Sequence, residues 1–280
     1  MPIIIIITVL ISTFIHALWN FFIKKSEFPY ENLQLLALFS GLLSIPFGLY
    51  FVIYEGFSIL GFFLSLSSGL IHIFYFYFLG KAYQNGDLSY VYPVARGTAV
   101  ALVPIAGVFF INDPVDRYAI FGICIVFIGI LILGKNLFLS IKMTDIKFLL
   151  LPFFIGLSIA FYTIVDYFAV SHINPIFVFS ISSFIAGFIS ITFVDKRIEH
   201  FYTIFSKNIV FIISISIMSA VAYSMILFSY KYSYVSLIAP LREISVVFAS
   251  ILGIVYLKEK FSYLKFFAIL LIVIGGILIT

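Results

Sequence analysis

Ten long apolar runs dominate this chain of 280 residues. They lie at about 3–23, 32–54, 60–80, 88–110, 117–134, 147–170, 174–194, 208–230, 235–257 and 262–280, separated by clusters of charged residues, Pro, Gly or Asn. An α-helix of about 20 apolar residues crosses the hydrocarbon of a bilayer. The runs are of that length and lack the strict polar alternation of membrane β-strands. We therefore predict an all-α, polytopic membrane protein with ten transmembrane helices.

The composition excludes most soluble classes of protein. Hydrophobic residues make up 64% of the chain and charged residues only 10%, against about 45–50% and about 25% in soluble domains. Too few polar side chains remain to cover a soluble surface, so we expect no soluble enzyme and no nucleic-acid partner, and we expect a lipid bilayer as the surroundings. The single cysteine, Cys124, lies in an apolar run and is expected to be a small buried core residue.

The distribution of basic residues predicts how the chain is oriented. The first run is followed, not preceded, by Lys24 and Lys25, so it reads as a retained helix and not as a signal peptide. Loops on the side of the N-terminus hold 2 Lys and Arg residues, and loops on the other side hold 12. Basic loops stay in the cytoplasm. We predict a multi-pass protein of the cell (inner) membrane with both termini outside the cytoplasm.

The two halves of the chain are related by a weak internal repeat. Residues 82–133 align with residues 229–280 at an offset of 147 without gaps, with 11 identities in 52 positions that include Pro93 with Pro240. Five helices in each half is an odd number, so the second half enters the membrane from the opposite face. We predict two inverted five-helix repeats, residues 1–140 and 141–280, an arrangement typical of transporters.

Two stretches of the repeat resemble a known family. Residues 82–97 (AYQNGDLSYVYPVARG) and 239–248 (APLREISVVF), followed by 257–260 (LKEK), are similar to the EamA-type branch of the drug/metabolite transporter superfamily. The resemblance implies ten helices in two repeats and the transport of amino acids, metabolites, nucleotides or drugs. The family places an acidic residue after the fourth helix of each repeat; Glu259 matches this pattern and Asn112 does not. Many members keep both termini in the cytoplasm, which the charge count here opposes.

Charged residues inside the apolar runs are the first candidates for a site, because each costs at least about 2.5–3.5 kcal/mol at mid-membrane unless it has a partner or a wet cavity. Counting from the loops predicts two polar layers, one with His16, Asn20 and Arg96 and the other with Asp166, Arg242 and Glu243.

The repeat suggests how these charges are used. The offset of 147 pairs Arg96 with Glu243, so we hypothesise that they face one cavity and present a cation and an anion to a small zwitterionic or amphipathic solute. Glu243 or Asp166 would then hold an ammonium group or carry a coupling proton. The alternative is that Arg96–Glu243 and Arg242–Asp166 are structural ion pairs that only lock helices together.

Other residues extend the candidate substrate cavity. His16 is interpreted either as a hydrogen-bonded core residue or as a proton carrier, and His72 mainly as a core residue. The aromatic candidates are Trp19, Tyr75, Tyr162 and Tyr223, although packing or lipid contact is the favoured interpretation for any single ring. Pro93 and Pro240 are interpreted as symmetric hinges or as simple kinks.

The predicted function is that of a secondary transporter, a permease or exporter of small metabolites. The sequence contains no G-x-x-x-x-G-K-[ST] element for ATP, so direct use of ATP is not encoded. A proton remains the candidate coupling ion. No cofactor and no metal site are expected, and both a monomer and a homodimer remain open. The alternatives are an intramembrane enzyme and a lipid-handling membrane protein without alternating access.

Overall fold

The computed structural model describes residues 1–84, 88–138, 146–195, 197–257 and 262–280, without the side chains of residues 82–84, 88–94, 133–138, 146–149, 193–195 and 257. The described elements are helices α1 (Ile3–Lys25), α2 (Pro29–Glu55), α3 (Ile59–Gln84), α4 (Leu88–Ala106), α5 (Arg117–Phe138), α6 (Ile146–Val170), α7 (Pro175–Ile189), α8 (Ile198–Lys207), α9 (Ile209–Tyr232), α10 (Val235–Leu241), α11 (Ile244–Leu257) and α12 (Tyr263–Ile279). Helices α4 and α7 continue as π-helical turns at Gly107–Ile111 and Ser190–Asp195. No strand occurs in these ranges.

Local residue choices account for several helix ends. Lys24 and Lys25 occupy the last turn of α1, where their positive charges interact favourably with the negative end of the helix dipole. Pro29 lies in the first turn of α2, where a backbone N–H would have no acceptor within the helix. This helix ends just before Gly56, whose φ of 101° is a backbone conformation that glycine adopts without strain. Asn174 caps α7 by accepting a hydrogen bond from the Ile176 N–H at 2.9 Å.

The helices have the length and composition of membrane spans. Within the described residues, seven are long and apolar enough to cross a bilayer, and three shorter apolar helices lie at Ala95–Ile111, Arg117–Ile132 and Tyr263–Ile279. Large apolar side chains also face outward, such as Phe109 at 77% and Ile53 at 79% exposure. The prediction of an all-α, multi-pass membrane protein is confirmed. The count of ten spans and the repeat boundary, which falls outside the described residues, remain predictions.

The structure departs from the sequence prediction at two elements. The run predicted as one helix at 235–257 is broken at Arg242 and Glu243. Around the break the backbone bonds span three residues, as in Ser245 N to Arg242 O at 3.0 Å and Val246 N to Glu243 O at 2.9 Å. Pro240 lies inside α10, just before the break. Pro93 lies inside α4, but its side chain is not described.

The second departure is α8, which connects the π-turn after α7 to α9. It buries only Phe201 and Ile204, and it lies outside the predicted runs because its polar face lowers the mean hydropathy. Arg197 and His200 at its start approach Glu31 of α2 with N–O distances of 3.7 and 3.5 Å. These contacts hold the short helix against the first turn of α2.

The expectation that Cys124 is buried is wrong, since this side chain is exposed. An apolar run at the edge of a membrane protein turns one face toward lipid, and an apolar sequence does not distinguish that face from a packed core.

Helices α2 and α7 make a reciprocal contact through small residues. A Cβ added at Gly41 would meet the backbone of Phe184, and one added at Gly187 would meet the backbone of Leu38. Gly48 lies against Phe177 in the same way. Residue numbers rise along α2 as they fall along α7, so the two helices run antiparallel. Helices α5 and α12 are packed equally closely, because Gly122 and Gly275 each face the other's carbonyl oxygen.

The remaining contacts occur in matching pairs. Helix α1 packs against α9 and α11, and α6 packs against α3 and α4. Helix α2 also contacts α9, and α7 contacts α3. The Met1 ammonium group lies 3.2 Å from the Thr280 carbonyl oxygen, so the two ends of the chain are adjacent. The contacts of α1 and α2 with α9 and α11 thus have counterparts in the contacts of α6 and α7 with α3 and α4.

The glycine contacts predict a stability effect that is specific to position. We expect Gly41→Ala and Gly187→Ala each to destabilise the protein by about 1–3 kcal/mol, because the methyl group overpacks a backbone contact. Thermal unfolding of the purified protein in detergent measures this. Gly97→Ala is the matched control, since its Cβ would sit at an ordinary 3.5 Å from Phe127. Equal stability of all three variants would contradict the close α2–α7 contact.

Candidate functional site

A cavity of about 40 Å³ lies among six helical segments; at about 10–15 Å³ for each water, it holds about three water molecules. We call it the central cavity. Helices α1, α3, α6, α7 and α9 and the break after α10 supply its walls. Its lining residues are His16, Trp19, His72, Tyr75, Phe76, Tyr162, Phe179, Ser182, Ser183, Ser219, Tyr223 and Arg242. The walls are therefore mostly aromatic, with a small number of polar groups.

A second cavity of about 10 Å³, the side cavity, lies next to the first. Its lining residues are Ser12, Thr13, His16, Arg96, Ala222, Tyr223, Ile226, Arg242 and Ser245. His16, Tyr223 and Arg242 line both cavities. These three side chains form the partition between the two spaces.

Arg96 joins three parts of the chain at this partition. Its Nη1 lies 3.1 Å from Oε1 of Glu243, and its Nη2 lies 2.9 Å from Nε2 of His16. Arg96 and Glu243 are both buried. A guanidinium group has no acceptor, so Nε2 of His16 must accept this hydrogen bond and its ring proton sits on Nδ1. The bonded group connects α1, α4 and the break before α11.

Arg242 is a second buried cation at the break. Its Nη1 donates to the Tyr230 hydroxyl at 2.8 Å, and its guanidinium carbon lies 5.5 Å from the centre of the Tyr223 ring. Among the described residues no carboxylate oxygen approaches it within 4 Å. Arg242 is thus held by phenol groups, while Arg96 is held by a carboxylate.

Asp166 lies behind the cavity wall. It has no exposed surface, and its Oδ2 accepts a hydrogen bond of 2.6 Å from the Tyr223 hydroxyl.

Two aromatic rings of the cavity wall, those of His72 and Tyr162, are stacked with their centres 4.0 Å apart. The His72 Nδ1 lies 2.9 Å from the Ser68 carbonyl oxygen, which fixes the orientation of this ring.

The structure brings most of the sequence-derived candidates together. Seven line a cavity: His16, Trp19, Tyr75, Arg96, Tyr162, Tyr223 and Arg242. Asp166 and Glu243 lie behind the lining, and the Asn20 side chain donates to the His16 carbonyl oxygen at 2.9 Å. The Arg96–Glu243 ion pair brings the two predicted polar layers into contact. Of the two structural ion pairs offered as alternatives, this one is formed, and an Arg242–Asp166 pair is not among the described salt bridges.

Sequence reasoning interpreted His72 mainly as a core residue and missed the serine groups of α7 and α9. His72 is a buried, hydrogen-bonded residue as expected, but it also lines the central cavity. Ser182, Ser183 and Ser219 line it as well. A pair of adjacent serines inside an apolar run was an available signal for the α7 contribution.

Asp113 is a further buried carboxylate that the sequence did not single out. Its Oδ2 accepts hydrogen bonds from the backbone N–H and the hydroxyl of Ser236, at 2.9 and 2.8 Å. Ser236 is in the first turn of α10, so Asp113 satisfies one free N–H group at the start of this helix. The contact ties the loop after α4 to α10.

The helical fold and this buried polar centre define a multi-pass membrane protein with an internal cavity. Residues 146–280 match the family described as EamA-like transporter family. This match confirms the resemblance inferred from the sequence motifs over that part of the chain.

The fold also has relatives among solved structures. One of 27 matching chains, described only as a crystal structure of a protein, superposes with a TM-score of 0.72 and covers 99% of this chain and 96% of its own. Its sequence identity of 16% shows a shared fold alone. A comparison with curated proteins found no match.

The buried ion pair leads to a testable energetic coupling. We expect Arg96→Gln or Glu243→Gln alone to destabilise the protein by about 3–5 kcal/mol, because each leaves one buried charge without its partner. The double variant should lose less than the sum of the two. Thermal unfolding of the four proteins in detergent gives the coupling, with exposed Glu199→Gln on α8 as the control. Additive losses would argue against a direct Arg96–Glu243 interaction.

Proposed function

We propose that this protein is a secondary-active transporter, a permease or exporter of small metabolites such as amino acids or related amphipathic solutes. It works by alternating access between two inverted five-helix repeats, residues 1–140 and 141–280. It is a multi-pass protein of the inner membrane, with both termini on the non-cytoplasmic side as the Lys and Arg count indicates. Transport, not conversion, of a solute fits membership of residues 146–280 in a transporter family.

The paired packing of the helices supports the inverted repeat. An offset of 146 exchanges Gly41 with Gly187 and Leu38 with Phe184, so the contact of Gly41 with Phe184 becomes that of Gly187 with Leu38. The offset of 147 pairs Arg96 with Glu243, which bind each other. Corresponding helices that run antiparallel and meet each other in this way are expected on a two-fold axis in the membrane plane.

The observation that carries the proposal is the central cavity, with its few polar groups, at the contact between the two repeats. Both repeats contribute to it, with His72 and Tyr75 from the first and Tyr162, Tyr223 and Arg242 from the second. Substrate sites of inverted-repeat transporters lie at the repeat interface near discontinuous helices. The break between α10 and α11 places Arg242 at such a point. The small cavity volume means that a solute enters only when the helices around it separate.

We propose a proton as the coupling ion and His16 as its binding site. The Nε2 atom of His16 carries no proton while it accepts from Arg96. A proton on Nε2 removes the acceptor and places an imidazolium beside the guanidinium groups of Arg96 and Arg242, which both line the side cavity with it. Glu243 keeps Arg96 in place, so α1 is the element released. Protonation would thus loosen the contact between α1 and α4.

Counterflow in proteoliposomes tests transport itself. Vesicles containing the purified protein and loaded with one unlabelled solute from a metabolite panel should accumulate the same labelled solute transiently, with its mass unchanged. A product of altered mass would favour an intramembrane enzyme. Binding without any exchange would favour a lipid-handling or scaffold protein. Protein-free vesicles provide the background.

The variant His16→Gln should separate exchange from proton coupling. Its side-chain oxygen can still accept from Arg96 but cannot take up a proton at neutral pH. We expect counterflow to persist, while accumulation driven by a pH gradient falls by about tenfold or more. The control is His172→Gln, a change at an exposed histidine in the turn before α7. Undiminished gradient-driven uptake in His16→Gln would exclude His16 as the proton site.

A further inference from the structure

We infer that the solute is an organic anion bound through Arg242, and that zwitterions and cations are disfavoured. This inference rests on the proposed transport function, and it replaces the zwitterionic amino acids named there with organic anions as the substrate class. It departs from the expectation of a zwitterionic solute, in which Arg96 and Glu243 both faced the cavity.

The first support is the sign of the charges that line the site. Arg242 lines both cavities and Arg96 lines the side cavity, whereas no Asp or Glu of the described chain is among the lining residues. The two nearby carboxylates are hidden, with Asp166 at 0% and Glu243 at 3% exposure. A solute in the cavity therefore meets guanidinium groups and no exposed carboxylate.

The second support is the free donor capacity of Arg242. A guanidinium has five N–H donors, and the side chain makes one described hydrogen bond, from Nη1 to Tyr230. Its other nitrogens are not among the fully buried unpaired atoms, so they reach the cavity space. A carboxylate would fit these nitrogens, because its two oxygens match the fork of a guanidinium.

The third support comes from what an ammonium group would lack. It would need a buried anion to replace its hydration, since a charge moved out of water without a partner is costly. The acceptors that line the central cavity are neutral groups, such as the hydroxyls of Ser182 and Ser219.

The aromatic walls define the rest of the solute. Ring pairs surround the cavity, including Tyr75 with Tyr162 at 5.6 Å and Tyr162 with Tyr223 at 6.1 Å between centres. Phe76 and Phe179 complete the apolar lining. Such walls favour burial of an apolar body. The substrate class is thus a small carboxylate, or a similar monoanion, with an apolar or aromatic body.

The chain provides its own probe for binding. Trp19 is the single tryptophan of the protein and lines the central cavity. Titration of the full chain in vesicles of neutral lipid, followed by tryptophan fluorescence, therefore reports entry of a ligand. The probes share one body and differ in charge: 3-phenylpropionate, 3-phenylpropionamide, 3-phenylpropylamine and phenylalanine. Hexanoate and hexylamine form an aliphatic pair.

We expect saturable fluorescence changes with 3-phenylpropionate or hexanoate at concentrations about tenfold or more below those needed for the amide, the amines or phenylalanine. Arg242→Gln should abolish the preference for the anion, and Arg242→Lys should retain part of it. If Arg242→Gln does not fold, the charge series on the native chain decides alone. Equal or tighter binding of phenylalanine or an amine, or no response to either anion, overturns the inference.

Counterflow of the same probes separates this inference from the proposed function. Exchange of labelled phenylalanine but of neither anion would leave a transporter and refute the anion site. Binding of an anion that never exchanges would keep the anion site and refute transport.

Discussion

The hydrocarbon of a bilayer contains no counter-ion and no hydrogen-bond partner for a buried charge, and this constraint determines how the centre of the protein is arranged. An ionised side chain at mid-membrane costs at least about 2.5–3.5 kcal/mol, so each must be held by another part of the chain. Arg96 meets this requirement by binding Glu243 and His16 together. The bonded group draws α1, α4 and the α10–α11 break to one point, and the cavities form around it.

The same constraint explains why the helix breaks where it does. Non-helical backbone at membrane depth is tolerated only inside protein or beside a cavity. The break at Arg242 and Glu243 satisfies this condition, since both residues are buried at 8% and 3% exposure. It also turns the two side chains to different partners, Arg242 to the phenol of Tyr230 and Glu243 to Arg96. One irregular turn thus separates the ion pair from the cation that faces the cavity.

The sequence predicted the fold well because hydrophobic length is a strong signal in membrane proteins. Predicted runs such as 3–23 and 147–170 match α1 at Ile3–Lys25 and α6 at Ile146–Val170. This signal is an average of hydropathy over a whole run of residues, so it could not predict the break at Arg242 or the polar helix α8. The repeat offset paired Arg96 with Glu243, which made their contact predictable. The burial of Asp166 behind Tyr223 was not predictable, because it depends on side-chain directions that the spacing of residues in the sequence does not define.

The two kinds of contact in the molecule differ in how they can change. Helices α2 with α7 and α5 with α12 meet through glycines at backbone distance, and such packing cannot slide without opening a gap. The centre is instead connected by a few side-chain hydrogen bonds, from His16 through Arg96 to Glu243. Side chains exchange such partners by rotation when a proton or an anion supplies an alternative. Under the proposed mechanism, the α2–α7 and α5–α12 contacts therefore stay fixed while α1, α4 and α10–α11 rearrange around the solute.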